Sequence, residues 1–538
     1  MQRARLFAVV RMEVHAQLRD PLTTLYALVF GLLALGYASS NAVELVSNRG
    51  SVPRTASWAL MLAFGGLTAF GQVITTMIAT TAMLRDEAQR TRSMIATTGL
   101  SPRIWFVGRV LAALSIMSTV YAAMPVGLVL GTALAGGSVA QAVLESLRAY
   151  LFITVPTMFV VTAVLAVAGA LTQRVLGVLA TALLLVGVWQ VALALVANPS
   201  TATAGALLDP FGNAPVLAAT AAWTVEQRAN NQVPFTGLLL YNRLTWLGIA
   251  LGAVGLLLYG ATARLFAPRV EQVMVVGEQH RADTPFRDTS VLMSLRRFTA
   301  QWMQRDGGWR IVSSLAVLNA LANALLRPLH IGEPTVAALM LVSEHARLFL
   351  ILLATVYAGE LVWRERDVRV DQLVDALPIS RRDLVVGRVQ GLLTGQLQIV
   401  LPVALGALLV AVLRTGSLHA PQLMAWGAWS VFVLWLPFAQ LTVLSLTVHV
   451  LLDHKVAAHL LLITGWVMAV VINTRGATPW WVRFADAGPL ATAAGDGVFW
   501  GILLQRGAYW SAVSAALLLL CWWRWPSGGR TSPAITSR

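Results

Sequence analysis

RDEAQRTRSMIATTGLSPRIWFVGRV (85–110) and RERDVRVDQLVDALPISRRDLVVGRV (364–389) align without a gap, the second 279 positions after the first. Eight of the 26 aligned pairs are identical, including the closing Val-Gly-Arg-Val of each. Conservative pairs fill much of the rest: Asp86/Glu365, Met94/Leu373, Ile95/Val374 and Leu100/Ile379. Each stretch is a charged block that follows one long apolar run and precedes another. One membrane module is therefore expected to be written twice, with a polar docking element inside each copy.

Composition supports the membrane reading. The chain is 57% hydrophobic and 12% charged, with mean hydropathy +0.71; soluble domains carry about 25% charged residues. Hydrocarbon satisfies no backbone hydrogen bond, and the alternating pattern of a barrel is absent, so the expected fold class is an all-α integral membrane protein. Apolar runs fall at about 22–39, 58–83, 105–134, 149–171, 175–197 and 244–266, then at 309–326, 335–363, 384–413, 422–451, 456–474 and 507–523. A spanning helix needs ~20 such residues. The expected layout is thus twelve transmembrane helices in two six-helix repeats with a pseudo-two-fold relation. The first half covers 1–266, a cytoplasmic linker 267–308 and the second half 309–538. Residues 4–20 and 289–305 read as amphipathic helices lying on the membrane, the first with Leu6, Val9, Val10, Val14 and Leu18 on or near its apolar face and Arg5, Arg11, Glu13 and Gln17 off it.

The net charge of +15 on such a chain points to topology and anionic lipid rather than nucleic acid. Arginines concentrate at the N-terminus, in both charged blocks and in the linker, which places both termini in the cytoplasm. The early charges Arg3, Arg5, Arg11 and Glu13 argue against a cleavable signal. The single cysteine, Cys521, allows no internal disulfide. Lys455 is the single lysine, and no glycine-rich run precedes it, so a phosphate-binding loop is not expected in this chain. Any nucleotide chemistry must come from a partner; the chain is read as no enzyme, with no cofactor of its own.

Other polar groups offer further candidates. Asp367, Asp371 and Asp375 share one helix face and could hold a magnesium diphosphate, but the first copy has Ala88, Arg92 and Ala96 there. Glu344, His345 and Arg347 fall near an outer helix end. His449, Asp453, His454 and His459 read as surface and interface residues. Trp480, Trp481, Trp522, Trp523 and Trp525 read as an interfacial aromatic belt. Two longer outer loops, 198–243 and 475–506, share a weak echo beginning at Asp209 and Asp486, where short helices or re-entrant segments are expected.

The stretch RDEAQRTRSMIATTGLSP (85–102) resembles the loop between the second and third spans of type-2 ATP-binding-cassette (ABC) exporter permeases. Thr91, Thr98 and Ser101 fit that pattern, while Gly99 stands where proline is usual. In the second copy Pro378 and Ser380 fit, and Val370 and Leu377 replace the two threonines. GELVWRERDVRVDQLVDALPIS (359–380) resembles the second half of fused, duplicated members. The resemblance implies a permease subunit of the bacterial cytoplasmic (inner) membrane, one chain per complex, moving a lipid-like, peptide or amphipathic substrate. It implies two copies of a soluble ABC ATPase as partners, which bind the ATP and magnesium. It assigns ATPase docking to Arg85, Asp86, Arg90, Thr91, Ser101 and Arg103, and to Arg364, Glu365, Arg369, Pro378, Ser380 and Arg382. Asp86 and Glu365 are expected to orient the arginines of that set. An ion-driven transporter, a membrane transferase using the aspartate stripe and a non-transporting scaffold are the alternatives.

Overall fold

The computed structural model describes residues 2–40, 45–46, 49–89, 91–261, 290–327, 334–367, 370, 373–374, 379–416, 419–452, 454–455, 457–459, 461–462, 464–466, 479–481, 484–485 and 497–525. These are helical throughout their ordered elements, with no strand among the described residues. The chain forms two compact units, Met1–Gly277 and Glu278–Arg538.

In the first unit, α1 (Gln2–Leu18) leads into α2 (Pro21–Ser39) through a 69° bend. Next come α3 (Ser57–Phe70) and α4 (Gln72–Ala88), bent by 47° at Gly71. A short α5 (Arg92–Thr97) is followed by α6 (Pro102–Leu134), to which both α1 and α2 pack. Ser101 caps α6 by accepting from the Ile104 N–H at 3.3 Å, with Pro102 at the first helical position. α7 (Val139–Ala149) continues through a wide π turn, Tyr150–Thr154, into α8 (Val155–Thr172). Pro156 sits just after this turn: proline lacks an N–H and crowds the preceding turn, and the wider winding accommodates it. α9 (Val175–Val196) follows, then three short helices, α10 (Ala202–Leu208), α11 (Asn213–Ala219) and α12 (Val225–Asn230), and finally α13 (Gly237–Leu256).

The short helices are tied down by a buried polar cluster. Asp209 accepts from the N–H groups of Phe211 (2.7 Å) and Ala214 (2.6 Å), and Asn242 donates to the carbonyls of Ala206 and Asp209 at 2.7 and 2.8 Å. Arg243 donates to Thr157 Oγ1 at 2.9 Å. The short helices expected in the 198–243 loop are therefore present, as a cap stitched to α8 and α13. The matching segment from Asp486 lies outside the described residues.

The second unit opens on α14 (Val291–Arg305), capped by Ser290, and α15 (Gly307–Leu326), capped by Asp306. Then follow α16 (Pro334–Asp367) and α17 (Arg381–Thr415). α18 (Ala420–Ala428) passes through a second π turn, Trp429–Trp435, into α19 (Leu436–Leu451), again with a proline, Pro437, just after the turn. The last helix is α20 (Gly497–Arg524). α14 packs along α17, so this amphipathic helix belongs to the second unit rather than to a separate linker. Residues 267–289 of the linker lie outside the described residues.

Among the described residues nine helices are long and apolar enough to cross a membrane, and eleven if each bent pair is one span. This is the build of a multi-pass membrane protein. The expected run at 456–474 is described only in part, as a shorter apolar helix, Ala457–Trp466.

Candidate docking site

The first polar block is held by a buried ion cluster. Arg109, on α6, places Nη2 2.7 Å from both carboxylate oxygens of Asp86, near the end of α4. Its Nη1 donates to the Ala82 carbonyl at 3.0 Å and lies 3.1 Å from Glu13 of α1. Arg85 reaches the same Glu13 oxygen at 2.7 Å, and Trp105 Nε1 donates to Asp86 at 3.0 Å. Glu13 and Arg109 are fully buried at 0% and 1% exposure. Two arginines and two carboxylates balance, which is what makes burial of four charges tolerable. The cluster joins α1, α4 and α6.

Beyond it the chain turns sharply. The Thr91 N–H donates to the Asp86 carbonyl at 2.9 Å, and the Ile95 N–H to the Thr91 carbonyl at 3.0 Å. Arg92 pairs with Glu87 at 3.0 Å and stacks over Trp105. At the tip, Met94 is 67% exposed and Thr98 is exposed too. Gly99 adopts φ +68°, which leads the chain back to the Ser101 cap.

The second block repeats this joint position by position. Arg388 of α17 pairs with Glu365, near the end of α16, at 2.5 Å; these residues align with Arg109 and Asp86. The Val370 N–H donates to the Glu365 carbonyl at 2.9 Å, and the Val374 N–H to the Val370 carbonyl at 3.1 Å, the same turn as in the first block. Leu373, aligned with Met94, is 70% exposed. Ser380 caps α17 by accepting from the Asp383 N–H at 3.0 Å, as Ser101 caps α6. The glycine of each Val-Gly-Arg-Val is where the amphipathic helix crosses. A Cβ on Gly108 would stand 2.7 Å from Val9 of α1, and one on Gly387 would stand 2.8 Å from Leu295 of α14.

The supports around the two joints differ. Arg364 has no acidic counterpart of Glu13 on α14; it lies over the rings of Trp302 (4.6 Å) and Phe298 (5.4 Å) instead. Lys455 bridges Glu360 and Asp367 on α16 at 2.8 Å each. Burial disfavours its ammonium, but the bonds to Asp367 and Glu360 outweigh that and raise its pKa above the ordinary lysine value. His449 accepts from Trp363 Nε1 at 3.2 Å, and its ring meets that of His459 edge-on at 4.4 Å. This clasp closes against Gly359, where a Cβ would stand 2.4 Å from His459.

Several expectations change. Among the described residues Asp86 pairs with Arg109 and Glu365 with Arg388, two arginines outside the expected docking set. Arg85 turns to Glu13, and Arg103 and Arg382 are exposed on the first turns of α6 and α17. Arg90, Arg369 and Pro378 lie outside the described residues, as do Asp371, Asp375 and Asp453. Asp367 is held by Lys455, and no group of three metal-ligating side chains occurs among the described residues. His449 is buried, not on the surface. Trp525 is buried too, with Arg388 5.8 Å over its ring, while Trp481, Trp522 and Trp523 are exposed. The buried stripe of α1 runs Val9, Glu13, Gln17, leaving Leu18 exposed; pairing Glu13 with two arginines outweighs the apolar pattern. The sequence signal for Arg109 and Arg388 was present, in the repeated Val-Gly-Arg-Val.

No protein-family model matches the chain, and no curated protein matches it.

Proposed function

We propose that this chain is the membrane subunit of an ATP-driven exporter of the ABC-2 type, with two repeats of six spans fused in one polypeptide. A separate soluble ATPase, in two copies, docks on the tips at 85–103 and 364–382 and supplies ATP hydrolysis. The two tips act as levers on α4 and α16, and the substrate is a lipid-like, peptide or amphipathic molecule. The membrane is the bacterial cytoplasmic one, with both termini inside.

The observation that carries this reading is the joint built twice. In each unit the first helix seats on a glycine, the next arginine grips an acidic residue near the end of an earlier helix, and the turn beyond exposes a large apolar residue, Met94 or Leu373. A polar tip needed only for topology would carry charge without a matching internal brace. A rigid brace behind an exposed apolar knob suits transmission of force from a protein that docks there.

The test is a pull-down from native membrane, comparing wild type with the double variant Arg90→Glu plus Arg369→Glu. A soluble ATPase is expected to accompany wild type and to be lost from the folded variant. No ATPase with wild type would overturn the reading in favour of the ion-driven or enzymatic alternatives.

A further inference from the structure

The α3–α4 pair breaks at the middle of its span. Gly71 lies 14 residues from Ser57 and 14 from Arg85, or ~21 Å each way along a helix, which puts the bend at the centre of the hydrocarbon. The bend is packed from outside: a Cβ on Gly71 would stand 2.3 Å from the Tyr121 hydroxyl and 2.7 Å from Phe30, and Tyr121 bonds Thr75 at 3.0 Å. Directly after it comes Gln72, 3% exposed, whose amide nitrogen and oxygen both have no hydrogen-bond partner among the described residues.

A second unpaired group lies at nearly the same depth. Gly169 of α8 opposes Met83 of α4, with Met83 Cβ 3.1 Å from where a glycine Cβ would stand. Both helices run toward the polar turns at Arg85 and Arg174. Counting back seven residues along each sets Thr162 level with Thr76, about one helical turn from Gln72. Thr162 is 1% exposed, and its hydroxyl lacks the bond to a preceding carbonyl that Thr68, Thr75 and Thr76 all make. At the 279-residue offset Gln72 falls on Ile351, within the single long helix α16, so the break at Gly71 has no counterpart there. The feature is therefore not a requirement of the repeated architecture.

Unpaired amide and hydroxyl groups are costly in hydrocarbon, and a broken helix at mid-depth is where membrane carriers place ligand contacts. We infer that Gln72 and Thr162, at the Gly71 bend, form a binding point for an uncharged apolar molecule bearing an amide. A carboxamide and a hydroxyl about one helical turn apart in depth offer donors and acceptors together, the complement of a peptide bond, and among the described residues no ion pair is found at either. This narrows the substrate class of the exporter reading, on which its transport meaning rests, to hydrophobic peptides and peptide-like amides.

The test uses the full chain in lipid nanodiscs, with radiolabelled N-acetyl-leucyl-leucine amide as probe and methyl laurate as the amide-free control. Wild type is expected to bind the dipeptide amide saturably. Gln72→Leu and Thr162→Val should each weaken it tenfold or more, leave methyl laurate partition unchanged, and melt no lower than wild type, since neither side chain has a hydrogen-bond partner among the described residues. Absence of saturable binding overturns the inference. So does equal binding by both variants, the result expected if the two groups hold only water. ATPase co-purification from the same preparations judges the exporter reading separately.

Discussion

At the residue scale the decisive side chain is Arg109. It holds Asp86 through both carboxylate oxygens, touches Glu13 and caps the Ala82 carbonyl, all away from water. Arg109→Ala would leave two buried carboxylates with one arginine between them, so it should cost about 3–5 kcal/mol. Arg388→Ala should cost less, because Glu365 retains 19% side-chain exposure and can be rehydrated. Thermal unfolding of the two variants in detergent checks the order; equal losses would contradict it. The repeated Val-Gly-Arg-Val made both arginines visible in the sequence, but not their partners. Charge alternation near 85–92 offers several arginines closer to Asp86 in sequence, and only the packing of α6 against α4 selects the one 23 residues on. Glu13 was harder still to read, since a lone acid off an apolar stripe has the pattern of a solvated face.

At the element scale, the long apolar runs were legible because lipid demands them, but their limits less so: the run expected from 244 opens at Gly237 and the one expected from 507 opens at Gly497. What the sequence did not carry was how the amphipathic helices sit. Residues 4–20 were expected to carry an apolar stripe, but α1 buries a mixed one, Val9, Glu13 and Gln17, where its neighbours supply a glycine seat and two arginines. The seats at Gly108 and Gly387 are close enough that any larger side chain must push the crossing helix away. Gly108→Ile should loosen α1 and Gly387→Ile should loosen α14. Hydrogen exchange over residues 2–18 and 291–305 should then rise at least tenfold in the matching unit only. Unchanged exchange in both would contradict the role of the seats. The π turns at Tyr150–Thr154 and Trp429–Trp435 were also unread, because Pro156 and Pro437 mark a disturbance in a helix without saying whether it ends, kinks or widens.

At the scale of the whole molecule, each unit carries a similar joint, and the two joints are braced unequally. The first joint is fastened by an ionic cluster reaching α1; the second by aromatic faces of α14 and by Lys455 across Glu360 and Asp367. The alignment that revealed the two copies also hid this difference, since Lys455 stands outside the aligned stretch and figured only as a missing phosphate-binding residue. The central claim is that both tips dock the same soluble ATPase. With the buried Cys521 replaced by alanine, single cysteines at Met94→Cys and Leu373→Cys, the exposed aligned pair, give one reactive position per tip. Cross-linking in native membranes with a short bifunctional thiol–amine reagent, followed by mass spectrometry of the adduct, reads the partner at each. The account predicts that both variants capture the same ATP-hydrolysing soluble protein; capture of none, or of one at a single tip only, would contradict it.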